Sequence, residues 1–559
     1  MLEPPGSVAY SGRTEHTNEW TTVPTYSCGW TDAELTLAKL AMALGGLEAG
    51  GPLGSAEQRL ASAAAALPSP TPRDVREAID AIQAGRDPLG DRLVAARPQL
   101  QRRALGQVLT PESITRPMVD WMLDRAATRV VDAGCGSGRF TLEIARRSDA
   151  GIIAVDADPL ATLLTRAGIA VIGGVPSATV LNMDYLRLAL PRHDGLTAFI
   201  GNPPYVRHHE LPAPAKDWGQ EAAGRIGVPF SGLAGLHAYF FLATALHGRP
   251  GDVGCFVTSS EWLDVNYGVA LRMLLLGGLG GDSVHILDPT VLPFDDAATT
   301  AAVTCFEIGS RPRSMRMRKV SDIASLSPLR GGRTVTRNEL ERTRRWSPLV
   351  RAVPEMPEGY VELGEICRVH RGQVTGANAT WVVPANGAAQ VPDRYLLPSV
   401  TKARELIDAG ERLMSSATLR RVIDLPADLD DLEPDERRGV ETFLQSARDA
   451  GVPDGYIARN RRAWWSVGLR EPAPILATYM ARRPPAFVRN AAGAHHINIA
   501  HGIYPRKPLP ARALDRLAEA LRNAVRPEMG RTYAGGLVKF EPREMERIPV
   551  PSLDRLLED

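Results

Sequence analysis

Between residues 101 and 310, short runs of apolar and β-branched residues alternate with stretches of helical period. The runs are VVDAG (130–134), GIIAVDA (151–157), LTAFIGN (196–202), GCFVTSS (254–260), VHILD (284–288) and TTAAVTCFEIG (299–309). Strands alternating with helical segments predict parallel βαβ units, so this region reads as a doubly wound, Rossmann-like α/β domain. The first hundred residues have another rhythm. After an irregular opening, helical patterns recur near 32–45, 55–66 and 73–84, separated by the breaks GGLEAGGPLG and LPSPTPRD. Residues 1–100 are therefore expected to form a small helical region, with no chemistry evident in its residue types. Residues 311–351 read as a basic linker. Residues 352–559 read as a mixed α+β domain with short strand-like pieces, an acidic insertion at 424–438 and paired aromatics at Trp464 and Trp465.

The chain's 559 residues exceed what one hydrophobic core usually supports, which agrees with several domains. Cys28, Cys135, Cys255, Cys305 and Cys367 are scattered and form no CxxC pair, which points to a reducing compartment and against a zinc knuckle or redox couple. The opening residues lack a basic start followed by an apolar core, and no apolar run approaches the roughly 18 residues of a membrane span. A cytoplasmic protein is expected. Net charge is +1, which argues against an indiscriminate nucleic-acid coat. The charge is unevenly spread: residues 311–351 hold twelve Arg or Lys against three acidic residues. A stretch of this kind is usually solvated, but beside a nucleic-acid-modifying domain it is expected to face phosphates.

Two turns carry the chemistry. VVDAGCGSGRF runs a strand through Asp132 into Gly134, Gly136 and Gly138, and glycines at the carboxyl end of a parallel strand let the backbone turn sharply and approach a ligand. The next strand ends in VDAD, where Asp156 could accept hydrogen bonds from ribose hydroxyls. In LNMDYL, Asp184 could meet the exocyclic amine of an adenine ring; capping a helix or facing solvent is its other reading. The second turn is GNPPYVR. Successive prolines fix the backbone and remove its donors, leaving carbonyls that point outward. The Asn202 side-chain oxygen and the Pro203 carbonyl, each accepting one N–H, would hold a planar, weakly nucleophilic amine and turn its lone pair toward an incoming methyl group. Pro204 completes the rigid turn, and Tyr205 offers a stacking face for an extruded base.

These residues resemble the gamma class of DNA adenine N6-methyltransferases, the TaqI-type enzymes, over most of the chain from about residue 101. LGQVLTPESITRPMVDWM (105–122) is similar to the family's first motif, which implies that Thr110 and Pro111 flank the methionine end of S-adenosyl-L-methionine. The resemblance also implies that Asp132, Gly134, Gly136 and Gly138 form the cofactor turn, that Asp156 holds the ribose and that Asp184 reads the cofactor adenine. VLPFDDAATTAAVTCF resembles the stretch supplying a second aromatic against the target base. Phe294 takes that role, with a core phenylalanine at a strand end as its other reading. Residues 352–559 resemble, more loosely, the family's target-recognition domain for double-stranded DNA. The implied catalytic domain is 101–310, with no metal. His495, His496 and His501 lack accompanying ligands at metal spacing. Residues 1–100 have no clear counterpart in the small TaqI-type enzymes. Methylation of RNA or of a protein glutamine amide stays open, as does a non-catalytic DNA specificity subunit. No PD followed by ExK pair stands out, so a partner restriction endonuclease, if present, is expected to be separately encoded.

Overall fold

The computed structural model describes residues 29–558 apart from 174–176, 289–299, 351–355, 388–389, 431, 482 and 534–536. It divides into two units, one ending at Val353 and the other beginning at Pro354.

The first unit is built on nine strands: β1 (Arg129–Ala133), β2 (Gly151–Asp156), β3 (Ala178–Asn182), β4 (Thr197–Gly201), β5 (Val253–Ser259), β6 (Gly281–Leu287), β7 (Ala301–Glu307), β8 (Ser314–Val320) and β9 (Arg333–Thr336). Their order is β3-β2-β1-β4-β5-β7-β6-β8-β9. β1 to β5 pair in parallel, while β7 runs antiparallel between β5 and β6. Every residue of β1, β4 and β5 is buried, as a parallel sheet covered on both faces requires.

The helices are α1 (Asp32–Ala43), α2 (Ser55–Ala65), α3 (Pro72–Gln83), α4 (Pro88–Ala96), α5 (Gln99–Ala104), α6 (Glu112–Leu123), α7 (Arg139–Arg147), α8 (Pro159–Val171), α9 (Ala213–Ile226) and α10 (Leu236–His247). On one face of the sheet, Phe199 and Phe256 pack with Tyr239, Phe240 and Phe241 of α10. On the other, Val130, Ile152, Ile200 and Cys255 pack with Ile114 and Met118 of α6 and Phe140 of α7.

Two boundaries expected from sequence are corrected. Residues 1–100 are not a region apart, because α8 is apolar on every side and buried from Pro159 to Ile169, so its side away from the sheet needs cover. α1 to α4 supply it: Leu37, Leu60, Ile82 and Leu89 share one core with Leu160, Leu163, Leu164 and Ala167. Within that contact the guanidinium of Arg166 meets Glu57 at 2.8 Å, both side chains at 0% exposure. Residues 311–351 are not a linker, because β8 and β9 extend the sheet beyond β6. Alternate residues Met315, Met317 and Val335 face the core, and the basic positions between them make ion pairs. Arg316 meets Asp282 at 2.8 Å, Lys319 meets Asp288 at 2.5 Å and Arg333 meets Glu339 at 2.7 Å. Arg330 reaches Asp124 at 2.8 Å and Arg345 reaches Asp264 at 3.7 Å. Arg342 and Arg344 remain exposed.

The second unit holds a five-stranded sheet whose central strand, Ile475–Thr478, pairs antiparallel with both Phe487–Asn490 and Ala500–Pro505. Helix Ala511–Ala524 covers one face through Ala513, Leu517 and Leu521. The paired tryptophans are structural: Trp464 packs on Trp381, and Trp465 Nε1 donates to the Pro426 carbonyl at 3.0 Å. In the acidic insertion, Leu425 and Leu432 are buried, and Asp424 accepts the N–H groups of Gly468 and Leu469 at 2.7 and 2.8 Å.

Candidate active site

The carboxyl ends of β1, β2 and β4 open into one concavity. Gly134, Gly136 and Gly138 leave β1 with φ of +77°, +56° and +92°, a left-handed backbone that other residues adopt only at a cost. The Gly136 N–H donates to Asp156 Oδ2 at 2.9 Å, and the Asp158 N–H donates to Asp156 Oδ1 at 2.9 Å. Asp156 therefore ties the glycine turn to the end of β2 while its carboxylate still lines the cavity. Burial, then the adjacent Asp158 charge, raises its carboxyl to about 6. Asp184 does two jobs: its Oδ1 accepts the Leu186 N–H at 3.0 Å, and it lines the same cavity.

Asn202 follows β4 and also lines the cavity. Its Nδ2 donates to the Val108 carbonyl at 3.0 Å, whereas its buried Oδ1 has no hydrogen-bond partner among the described residues. The bond fixes which way the amide points. The strap 105–109 is itself laid against the NPPY turn, since the Tyr205 N–H donates to the Gly106 carbonyl at 3.1 Å. Burial raises the Tyr205 phenol above its ordinary range, and its hydroxyl has no partner among the described residues.

Other expected site residues stand behind the wall. Asp132 is fully buried beneath the turn, where its Oδ2 accepts the backbone N–H and the hydroxyl of Thr141 at 3.1 and 2.7 Å. Burial raises its carboxyl to about 7. Gly138 packs on Thr165 and caps α7. Pro111 caps α6, and the Thr110 carbonyl accepts from Arg139 Nη1 at 3.0 Å. From this motif it is Leu105 to Leu109, and not Thr110 or Pro111, that line the cavity. Pro204 lines it, and Pro203 and Tyr205 do not. Phe294 lies outside the described residues. Cys135 is a buried packing residue whose thiol is raised well above its ordinary range by burial.

Several lining residues were not singled out from sequence. Phe240 stacks on Tyr185 with ring centroids 4.9 Å apart and 23° between planes, forming an apolar wall. Leu93 and Val94 of α4 and Arg102 of α5 complete it. Asp87, ahead of α4, accepts from Ser137 Oγ and Arg139 Nε, each at 2.6 Å, and so clamps the glycine turn from the N-terminal helices. The Asp-Pro start of α4 was a legible helix signal, but the partners of Asp87 were not.

A sheet ordered β3-β2-β1-β4-β5-β7-β6 with β7 reversed, glycine-rich after β1 and acidic after β2, is the class I methyltransferase fold. Residues 349–559 match the model of the C-terminal domain of type II methyltransferase M.Eco57I. The chain is 50% identical over 472 residues to type II methyltransferase M.XamI of Xanthomonas campestris pv. amaranthicola, covering 84% of this chain and 88% of that one. It is 22% identical to type II methyltransferase M.AccI of Acinetobacter calcoaceticus, over 80% and 85% of the two chains. Among solved structures, that of the type IIL restriction-modification enzyme MmeI in complex with DNA has a similar fold, with a TM-score of 0.54 at 12% identity over 91% of this chain and 79% of that one. The chain belongs to the gamma-class type II restriction-modification DNA methyltransferases.

Proposed function

We propose that this protein transfers a methyl group from S-adenosyl-L-methionine to the N6 amino group of an adenine extruded from a short duplex recognition sequence. The observation that carries the reading is the Asn202 amide, whose nitrogen is spent on Val108 and whose oxygen is left to accept. An amine donating to Asn202 Oδ1 and to the Pro203 carbonyl has both N–H groups occupied, so its lone pair turns out of the ring plane. Tyr205 supplies the ring face against the extruded base.

The cavity suits the cofactor. Its lining carries three carboxylates, Asp156, Asp158 and Asp184, and one guanidinium, Arg102, against a ligand with a sulfonium, an ammonium and one carboxylate. Phe240, Tyr185 and Leu109 add apolar surface for the adenosine. When bound, S-adenosyl-L-methionine supplies an electrophilic methyl group. Asp156 accepts from the ribose hydroxyls, Asp184 from the adenine amine, and the glycine turn gives the methionine portion room. Modification-sensitive long-read sequencing of DNA from a host expressing the protein tests the reading. It should show N6-methyladenine in a single motif, and unmodified adenine would overturn it.

Two further results are expected. Because ribose binding needs an ionised Asp156 and its carboxyl lies at about 6, cofactor affinity measured by calorimetry should be about tenfold weaker at pH 5 than at pH 8. On folding the same shift has the opposite sign, since the folded state binds the proton more tightly. That contribution is present below the ordinary carboxyl range and lost as pH rises through about 6. Asp156→Ala should remove the dependence and cost about 1.5–3 kcal/mol of binding. A flat titration in the wild type would place the ribose elsewhere.

The second result concerns DNA. Arg342 and Arg344 are exposed, and as phosphate contacts they carry no sequence information. Replacing both by alanine should weaken binding to all duplexes and flatten the dependence of log affinity on log salt by about 0.9 for each phosphate no longer neutralised. The methylated motif should not change. An altered motif would show that these residues read bases.

A further inference from the structure

The N-terminal helices reach the reaction site through one buried guanidinium. Arg97, just past α4, is 1% exposed. Its Nε donates to Glu34 Oε1 of α1 at 2.8 Å, and its Nη1 donates to Asp158 Oδ2 at 2.5 Å and to Gln107 Oε1 at 2.7 Å. Gln107 in turn donates from Nε2 to Asp158 Oδ2 at 2.8 Å. Gln107 immediately precedes Val108, whose carbonyl holds the Asn202 amide. Asp158 is two residues from Asp156 and lines the same cavity. One side chain therefore braces both halves of the site.

We propose that Arg97 is a positioning residue for methyl transfer: through Asp158 it supports the cofactor-side carboxylates, and through Gln107 it fixes the strap that aims Asn202. The proposal rests on the reading of the cavity as the cofactor site and of Asn202 as the acceptor of the target amine.

The electrostatics agree with the geometry. Burial works against a charged Asp158, but the Arg97 guanidinium and hydrogen bonds from Arg97 and Gln107 outweigh it and hold that carboxyl below its ordinary range. The groups facing Asp156 are Asp158 of its own loop, Asp132 of β1, the Cys135 thiol and Arg97. Asp184 and Arg102 line the same cavity. Arg97 is the cation that lowers the Asp156 carboxyl. Removing it leaves neighbouring carboxylates in mutual repulsion, so both should protonate at higher pH.

The test uses the full chain, with cofactor affinity measured against pH by calorimetry and methylation of cognate duplex measured as kcat and KM. In Arg97→Met, which keeps an apolar stem, the pH midpoint of cofactor binding should rise by about one unit, making the dissociation constant at pH 6 about fivefold larger. kcat should fall as well, because the strap is released. Arg97→Lys should bring the midpoint back without restoring kcat, since an ammonium pairs with Asp158 but cannot span Glu34, Asp158 and Gln107 together. Gln107→Leu keeps the ion pair and cuts the link to the strap, so kcat should fall while the midpoint stays closer to 6.

An unmoved midpoint in Arg97→Met overturns the proposal. So does a loss of kcat that tracks only the loss of thermal stability. If Arg97→Met fails to fold, Gln107→Leu decides, and wild-type kcat in that variant refutes the coupling. Failure of the wild-type chain to bind S-adenosyl-L-methionine is a different result, because it removes the reading of the cavity itself.

Discussion

Asn202→Ala should reduce methyl transfer by about 10²–10³ or more, the cost of removing one preorganised polar group from a reaction centre. The reason lies in the two ends of the amide. Val108 accepts from Nδ2, so rotation of the side chain cannot exchange nitrogen for oxygen without leaving a buried N–H unpaired. The oxygen is held in one place, with no competing partner among the described residues. Alanine removes the acceptor and leaves the backbone turn, which Pro203 and Pro204 make rigid without help from the side chain. Cofactor affinity should stay within about threefold of wild type, because the carboxylates of β2 and the glycine turn are untouched. Single-turnover methylation of the cognate duplex, read beside cofactor calorimetry, separates the effects. Activity within a few fold of wild type would show that Asn202 does not hold the target amine.

Gly106→Ala should be nearly as damaging, although position 106 carries no functional group. Gly106 has φ of +63°, and a Cβ there would lie 2.6 Å from the backbone nitrogen of Tyr205 and 3.0 Å from its carbonyl carbon. A flexible side chain could move aside, but these are backbone atoms of the reaction turn. The clash also breaks the hydrogen bond from Tyr205 N to the Gly106 carbonyl, which keeps strap and turn together. Displacing the turn by a fraction of an ångström relative to the Asn202 acceptor should lower kcat by about 10². Gly85→Ala is the control. Gly85 also has positive φ, +83°, but nothing lies within 4 Å of its Cβ position. That variant should lose about 1–2 kcal/mol of stability to left-handed strain and keep wild-type kcat. Equal loss of activity in both variants would mean that strain alone, and not the strap's packing against the turn, accounts for the effect.

What the sequence alone determined was local. β1, β2 and β4 to β7 fall where the apolar runs place them, and α1 to α3 begin and end within about two residues of the periodic stretches, because each pattern depends on neighbours three or four positions away. The glycine turn and the NPPY turn were legible for the same reason: positive φ and a locked proline backbone are properties of the residue itself. Tertiary structure decided which polar groups meet. Asn202 finds Val108 across 94 residues, Arg97 finds Asp158 across 61, and Asp87 finds Arg139 across 52. Nothing in the spacing of these pairs marks them as partners. Helices that carried no visible chemistry thereby became a wall of the site, and a basic stretch that looked like a solvated linker became two strands whose arginines face carboxylates. A buried charge must find an opposite charge or a hydrogen bond, and only the folded chain determines which one is within reach.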